Sequence, residues 1–415
     1  MIFNSSKYNA EWNTKPLSDL GMFRRGKSRH RPRNDPKLFD NGTYPLVQTG
    51  EVKAANLYIR SHEACYNEFG LSQSALWPEN TLCITIAANI AETALLGYPM
   101  CFPDSVVGFN ADPEESSELF MHYVFTYIRK AIQNSASGSI QDNINIEYLT
   151  GLRFKIPLKA YQDKIVAVLS ALDKKIELNI RINAELEAMA KTLYDYWFVQ
   201  FDFPDANCKP YKTSGGKMVY NHALKREIPE GWSDKTLSQI ANITMGQSPE
   251  GSSYNEEGVG TIFYQGSTDF GWLFPTTRQY TTAPSRMAKK GDILLSVRAP
   301  VGDMNIANTD CCIGRGLAAL NSKTGSDGFL FYVMKYFKQI FDRRNSEGTT
   351  FGSITKNDLH SLTLAYPTAD LLKKYDDVVT NYNKMIFERS LENREIISLR
   401  DWLLPMLMNG QVIVK

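Results

Sequence analysis

The stretch Leu158–Phe198 contains no glycine, and Pro157 stands at its N-terminal edge, where the ring costs no helix hydrogen bond. Ile165, Leu169, Leu172, Ile176, Asn179, Asn183, Leu186, Ala190, Leu193 and Trp197 are spaced alternately four and three. That is a heptad seam, and it asks for a partner helix rather than a broad globular face. At about 1.5 Å per residue it makes a rod of roughly 60 Å.

The partner lies in the same chain. Pro367 opens a second stretch, Thr368–Met408, which overlays the first without a gap at an offset of 210. Lys164/Lys374, Val168/Val378, Lys174/Lys384, Ile176/Ile386, Asn183/Asn393, Glu185/Glu395 and Leu193/Leu403 are identical pairs. The second seam is weaker, because Arg389 and Arg400 fall where Asn179 and Ala190 sit, and Pro405 is expected to end or kink the helix. The paired asparagines, if buried, fix register at some cost in stability; the alternative is that they face solvent.

The regions between the rods also repeat. At an offset of 220, Trp12, Lys15, Leu17, Ser18, Gly26 and Ser28 meet Trp232, Lys235, Leu237, Ser238, Gly246 and Ser248. Gln48 in VQTG corresponds to Gln265 in YQGS, and the aromatic-rich helix expected at Leu119–Ile132 matches Gly328–Phe341. Its aromatic stripe reads as core rather than a base-stacking platform. Strands are expected at Thr43–Lys53 (running into a polar turn), Leu82–Glu92 and Cys101–Phe109; Gly138–Pro157 should be a loop and a final strand. The order is globule, rod, globule, rod, with segments 1–157, 158–231, 232–367 and 368–415. Residues 202–231, rich in turn formers, read as an extended connection.

The loops differ where the frameworks agree. Gly21–Phe39 reads as a basic loop: Arg24, Arg25, Lys27, Arg29, Arg31, Arg33 and Lys37 crowd around His30, opposed locally only by Asp35. Such a run is often merely a solvated face, yet so dense a cluster repels itself unless an anion shares the space, and the arginine fork suits phosphate or a guanine edge. The counterpart, GQSPEGSSYNEEG, is not basic. Because the whole chain carries a net charge of only +1, any nucleic-acid reading rests on this patch.

Catalytic signatures are missing. There is no F-x-G-x-G with N-P-P-Y, no H-E-x-x-H, no G-x-S-x-G and no phosphate loop, since SGGK at Ser214–Lys217 lacks the upstream glycine. The five histidines lack metal-ligand spacing. The six cysteines form no C-x-x-C pair and read as reduced thiols of a cytosolic protein. No run is apolar and long enough to span a bilayer.

Two globules with unlike loops, two helices of matched length, the segment GDILLSVRAPVG (Gly291–Gly302) and the pattern W-x-x-K-x-L-S at Trp12 and Trp232 together resemble the specificity subunit of a type I restriction-modification enzyme. The resemblance covers essentially the whole chain and is most specific at Lys174–Phe198, Pro229–Leu237 and Gly291–Gly302. It implies an α/β fold: two related target-recognition domains joined by two long helices forming an intramolecular antiparallel coiled coil. Each domain is implied to read half of a split double-stranded DNA target, with the helices acting as spacer and as dock for two modification (methyltransferase) subunits. Those subunits bind S-adenosylmethionine and methylate adenine. Restriction (translocase and nuclease) subunits, with ATP and magnesium, add cleavage. The chain itself is implied to be non-catalytic and cytoplasmic, with no cofactor of its own. A recognition subunit of a type II system shares the architecture; a nuclease with an unrecognised site and a DNA-free scaffold are the rivals of other classes.

For the first half-site the expected readers are Lys27, Ser28, Arg29, His30, Arg31 and Arg33, with Gln48 and Thr49 beside them. For the second they are Gln247, Ser248, Tyr254, Gln265, Ser267, Arg298, Arg315 and Thr350. Arg298 and Arg315 are equally readable as buried partners of acids. Asn183 and Asn393 are the expected register residues. Trp197, Phe198, Trp402 and Leu407, at the seam ends, read as a partner surface or as caps of the coil.

Overall fold

The computed structural model describes residues 2–87, 89–137, 146–346 and 353–415. Thr350 and the Gly-Ser-Ile repeat at 138–140 and 352–354 fall wholly or partly outside these. The chain divides into two compact units, Met1–Asn179 with Glu392–Lys415, and Ile180–Leu391. The division runs through the long helices rather than at their ends.

In the first unit the chain lays down β1 (Gly21–Arg25), β2 (Tyr44–Leu46), α1 (Thr49–Ala54), β3 (Leu76–Trp77), β4 (Leu82–Thr85), β5 (Thr93–Leu96), β6 (Met100–Cys101), β7 (Val106–Ala111), α2 (Glu118–Ser137) and the long α3 (Lys159–Tyr194). One sheet has the order β1-β7-β4-β5 with Tyr58–Ile59 at its edge; a second places β2 beside β6 and β6 beside β3; a third pairs Arg153–Ile156 with Ile2–Phe3 and Asn13–Pro16. β4 and β5 read LCIT and TALL and are buried throughout. Alternation explains why no residue is polar-out. Leu82, Ile84 and Leu95 join Phe120, Val124 and Phe125 of α2, while Cys83, Ala94 and Leu96 join Val47, Trp77 and Phe102 in a separate core.

The second unit repeats this plan: β8 (Ala241–Met245), β9 (Thr261–Tyr264), β10 (Met287–Ala288), β11 (Ile293–Ser296), β12 (Met304–Ile306), β13 (Cys311–Ile313), β14 (Leu317–Ser322), α4 (Asp327–Ser346) and α5 (Ala369–Met408). Its sheets run β8-β14-β11-β12 and, with further short strands, β9-β13-β10. β2 meets β6 in parallel through Leu46 and Cys101, as β9 meets β13 through Phe263 and Cys312. Again the strands alternate between cores, Ile293 and Leu295 to one and Leu294 to the other.

Both long helices contribute to both units. In the first, Ile165 and Leu169 of α3 share a core with Leu404, Leu407 and Met408 of α5. In the second, Ala190 and Tyr194 of α3 share one with Leu371, Leu372, Tyr375 and Val379 of α5. Within each unit the helices are therefore antiparallel, and the seam of α3 is the buried stripe, with Leu172 and Leu193 half-buried.

Local readings change at several points. Arg24 and Arg25 lie on β1, paired with β7, so the basic loop is confined to 26–35 before a tight turn at Pro36–Leu38. The polar turn after β2 is the helix α1, because Glu51 reaches back to accept the N–H of Gln48 at 2.6 Å. Cys101–Phe109 is two strands, broken by the turn at Pro103. Residues 202–231 are not extended: Met218–Asn221 and Arg226–Pro229 form a hairpin, and Phe203 stacks on Tyr211 and on Trp232. Pro405 is tolerated within the last turns of α5, which ends at Met408. Of the expected seam-end surface only Trp402 is exposed, at 63%; Trp197, Phe198 and Leu407 are buried.

Candidate nucleic-acid interface

In the first unit the turn between β6 and β7 brings an acid to the basic loop. Arg33 donates to both carboxylate oxygens of Asp104, at 2.7 and 3.0 Å, and Arg31 stands 3.7 Å from the same group. Arg25 donates to the Asp104 carbonyl at 2.9 Å, and Arg24 lies over the Trp77 ring at 4.7 Å. Arg31 also donates to the carbonyls of Ser28 and His30. Asp104 thus holds Arg33 by hydrogen bonds and keeps Arg31 within ion-pair distance.

A cleft of about 450 Å³ lies beside them, lined by Ser28, Arg33, Gln48, Thr49, Tyr66 and Ser105, among others. Four of the eight expected residues therefore share one concavity. Lys27 and Arg29 are exposed on the same loop; the Arg29 backbone N–H bonds to Gln73. His30 turns the other way. Its ring meets Asp35 at 2.7 Å and the edge of Phe69 at 5.5 Å between centroids. That hydrogen bond, with one from the Lys37 N–H, holds the Asp35 carboxyl below its ordinary range.

The second unit builds a neutral cluster at the corresponding strand end. Gln265, just past β9, donates to Ser248 Oγ at 2.9 Å, and the Arg315 N–H approaches the same oxygen at 3.4 Å. Arg315 sits between Gly314 and Gly316, and a Cβ at either would come within 2.9 Å of Gln265 backbone atoms. Gln247 is fixed by its N–H on the Ile313 carbonyl at 3.0 Å. Arg298 is exposed after β11, its backbone bridging Ser353. Among the described residues neither Arg298 nor Arg315 is buried against an acid.

Tyr254 and Ser267 do not join this cluster. The Tyr254 hydroxyl donates to the Pro249 carbonyl at 2.9 Å and its ring stacks on Phe263. Ser267 lines a separate cleft with Lys191, Asn305 and Lys338. Two residues escape sequence reasoning. Arg286 is exposed beside Gln247, its carbonyl taking the Ile313 N–H and its neighbour Ser285 donating to Gln247; the basic run Arg286–Lys290 was a signal. Asp104 carried no signal.

Asn183 and Asn393, the expected register residues, are buried. In the first unit Asn179 donates to Asn393 at 2.9 Å and to Glu392 at 2.8 Å, while Asn393 donates to the Ile176 carbonyl. In the second, Asn183 donates to Ser390 at 3.2 Å. Asn183 and Asn393 thus have different partners, and neither faces solvent.

Among the described residues no cluster of His, Cys, Asp and Glu is arranged to hold a metal, and no helix is long and apolar enough to cross a membrane. The arrangement presents hydrogen-bonding forks and amides at two related strand ends, which is suited to recognition.

Comparison with known proteins agrees. A family described as the type I restriction modification DNA specificity domain matches residues 9–188 and 229–387. The chain is similar to a putative type I restriction enzyme MjaX specificity subunit of Methanocaldococcus jannaschii, 33% identical over 301 residues; that match spans 70% of this chain but only 65% of the relative, under two thirds of its length. The MjaIX specificity subunit of the same organism is 24% identical, over 99% of this chain and 95% of that one. The crystal structure of a type I restriction-modification S subunit from M. genitalium covers 98% of this chain and 99% of that one at 19% identity, with a TM-score of 0.58, a likeness of fold.

Proposed function

Since this chain belongs to the type I restriction-modification DNA specificity family, we propose that it is a non-catalytic recognition subunit that reads a bipartite double-stranded DNA target, one block per unit. The observation that carries this reading is the repeat itself: equivalent strand ends in the two units display Gln48 and Gln265 beside unlike sets of polar side chains. In the first unit Arg29, Arg31 and Arg33 supply forks for guanine or phosphate, and Gln48 an amide suited to adenine. In the second, Gln247, Gln265, Arg286 and Arg315 make up the reader. Contacts of this kind to base edges specify; those to phosphate only position.

The partners would be two modification subunits, which bind S-adenosylmethionine and methylate adenine, and restriction subunits that use ATP and magnesium. The complex would act in the cytoplasm, and this chain would hold no cofactor. The test is a methylation map. The chain is co-expressed with its modification subunit in a host lacking adenine methylation, and host DNA is sequenced for methyladenine. The expected result is a split motif of two short blocks around a fixed gap, of which exchanging residues 12–157 changes one block. A co-purifying complex that methylates nothing, or a swap that alters both blocks, overturns the reading.

A further inference from the structure

The two units fasten their globules to the helix pair by different chemistry. In the first, one carboxylate ties three helices together. Asp173 of α3, nearly buried, accepts the Tyr123 hydroxyl of α2 at 2.5 Å on one oxygen and Arg400 of α5 at 2.9 Å on the other. Arg400 is further held by Asp401 at 2.8 Å. α2 packs directly on β4, β5 and β7, and β7 pairs with β1, which leads into the arginine loop.

The repeat supplies an internal control. In the second unit the equivalent positions are Tyr332, Asn383 and Ala190. The tyrosine is present, but both charges are gone. The Tyr332 hydroxyl is buried without a hydrogen-bond partner among the described residues. Tyr332 and Asn383 line a cavity of about 600 Å³ together with Phe331, Lys335 and Phe387. Gly328 opens that cavity where the first unit has Leu119. The tie between α4 and α3 is instead an ion pair of Lys335 with Glu187, whose first-unit equivalents are Thr126 and Ile397.

We infer that Asp173 is a positioning residue: by gathering Tyr123 and Arg400 it sets where the first DNA-reading sheet stands on the spacer helices, and so the number of unread base pairs between the two blocks. A shared carboxylate has this property because charge-assisted hydrogen bonds to its two oxygens ask for fixed directions from both donors. The inference rests on the function proposed above.

The test uses the same methylation map with full-length protein in complex with its modification subunit. Wild type should return one gap length, favoured at least a hundredfold over gaps one base pair longer or shorter. Asp173→Asn, which puts the second unit's Asn383 at this position without that unit's Lys335–Glu187 ion pair, should keep both blocks but narrow that preference to less than tenfold. Asp173→Glu, which keeps the charge, should restore most of it. Should Asp173→Asn not fold, Tyr123→Phe removes one hydroxyl and should widen the gap choice in the same direction. A single unchanged gap in a soluble, co-purifying Asp173→Asn complex, or in Tyr123→Phe, overturns the inference. A wild-type complex without a split motif instead overturns the functional reading beneath it.

Discussion

His122, on α2 with its ring against the edge of Tyr123, should make the first unit sensitive to acid. Its ring is buried at 6% exposure, and its Nδ1 lies 3.1 Å from Thr93 Oγ1 on β5. Burial first, then the charges of Arg129 and Arg400, lowers its pKa from the ordinary 6.5 to about 3. Above about 6.5 the imidazole is neutral whether folded or unfolded, and nothing is lost. Between 6.5 and 3 the unfolded chain takes up a proton that the folded chain refuses, so stability falls as pH falls through that window. At pH 5 this amounts to about 2 kcal/mol for the one group. His122→Gln keeps an acceptor for Thr93 and cannot charge; the second unit already carries an uncharged ring, Phe331, at the equivalent place. Amide exchange of α2 at pH 7 and pH 5, corrected for the intrinsic effect of pH on exchange, reads the opening free energy of this unit. Wild type should lose about 2 kcal/mol more than His122→Gln between the two conditions. Equal losses in the two proteins would refute the argument, because the carboxylates that also titrate here are common to both.

Arg29, with no side-chain partner among the described residues, should matter more to DNA than Arg33, which Asp104 already holds. Arg29→Ala should either lower the salt slope of binding by about one or cost about 1–3 kcal/mol at a single base of the first block, as salt-titrated binding to variant duplexes would reveal. Asp104→Ala should raise affinity for random duplex severalfold while weakening discrimination at the first block; unchanged discrimination would count against its orienting role. Asn393→Leu alone should destabilise by about 1–3 kcal/mol in urea unfolding, because it removes one of the two acceptors of the buried Asn179 amide and leaves only Glu392, and adding Asn179→Leu should recover much of that loss.

The long helices were legible because a seam of alternate four- and three-residue steps has only one common use, and the structure buries that stripe. The repeat was legible because constant offsets of 210 and 220 align the two halves, and some aligned pairs, such as Leu17 with Leu237 and Ile176 with Ile386, are core residues in both units. What escaped was short or non-local. α1 looked like a turn because six residues show no periodicity, and only the Gln48–Glu51 cap declares it. Residues 202–231 looked extended because turn formers conceal an aromatic stack whose members, Phe203, Tyr211 and Trp232, are far apart in sequence. Tyr254 was expected beside Gln265 as a reader of the second half-site, and its ring instead stacks on Phe263 while its hydroxyl donates to the Pro249 carbonyl, contacts between residues that sequence alone does not bring together. Arg400 looked like a flaw in the second seam until Asp173, 227 positions away, supplied its partner.

Asp104 shows why a basic loop alone says little about what is read. Arginines without a fixed acceptor bind any phosphate, with affinity that salt erodes and no preference among sequences. A carboxylate among them lowers the charge available to phosphate and aims Arg31 and Arg33, exchanging indiscriminate affinity for direction. The second unit reaches direction by another route, with amides and a hydroxyl locked to one another and only a few exposed arginines around them. Forks and amides prefer different base edges, guanine for the first and adenine for the second. Unlike readers on a common frame therefore predict unlike blocks. The methylation map should return two specified blocks that are not copies of each other, with guanine in the block that follows residues 12–157 in a domain exchange. Two identical blocks would mean that the shared framework, not the loops, reads the DNA.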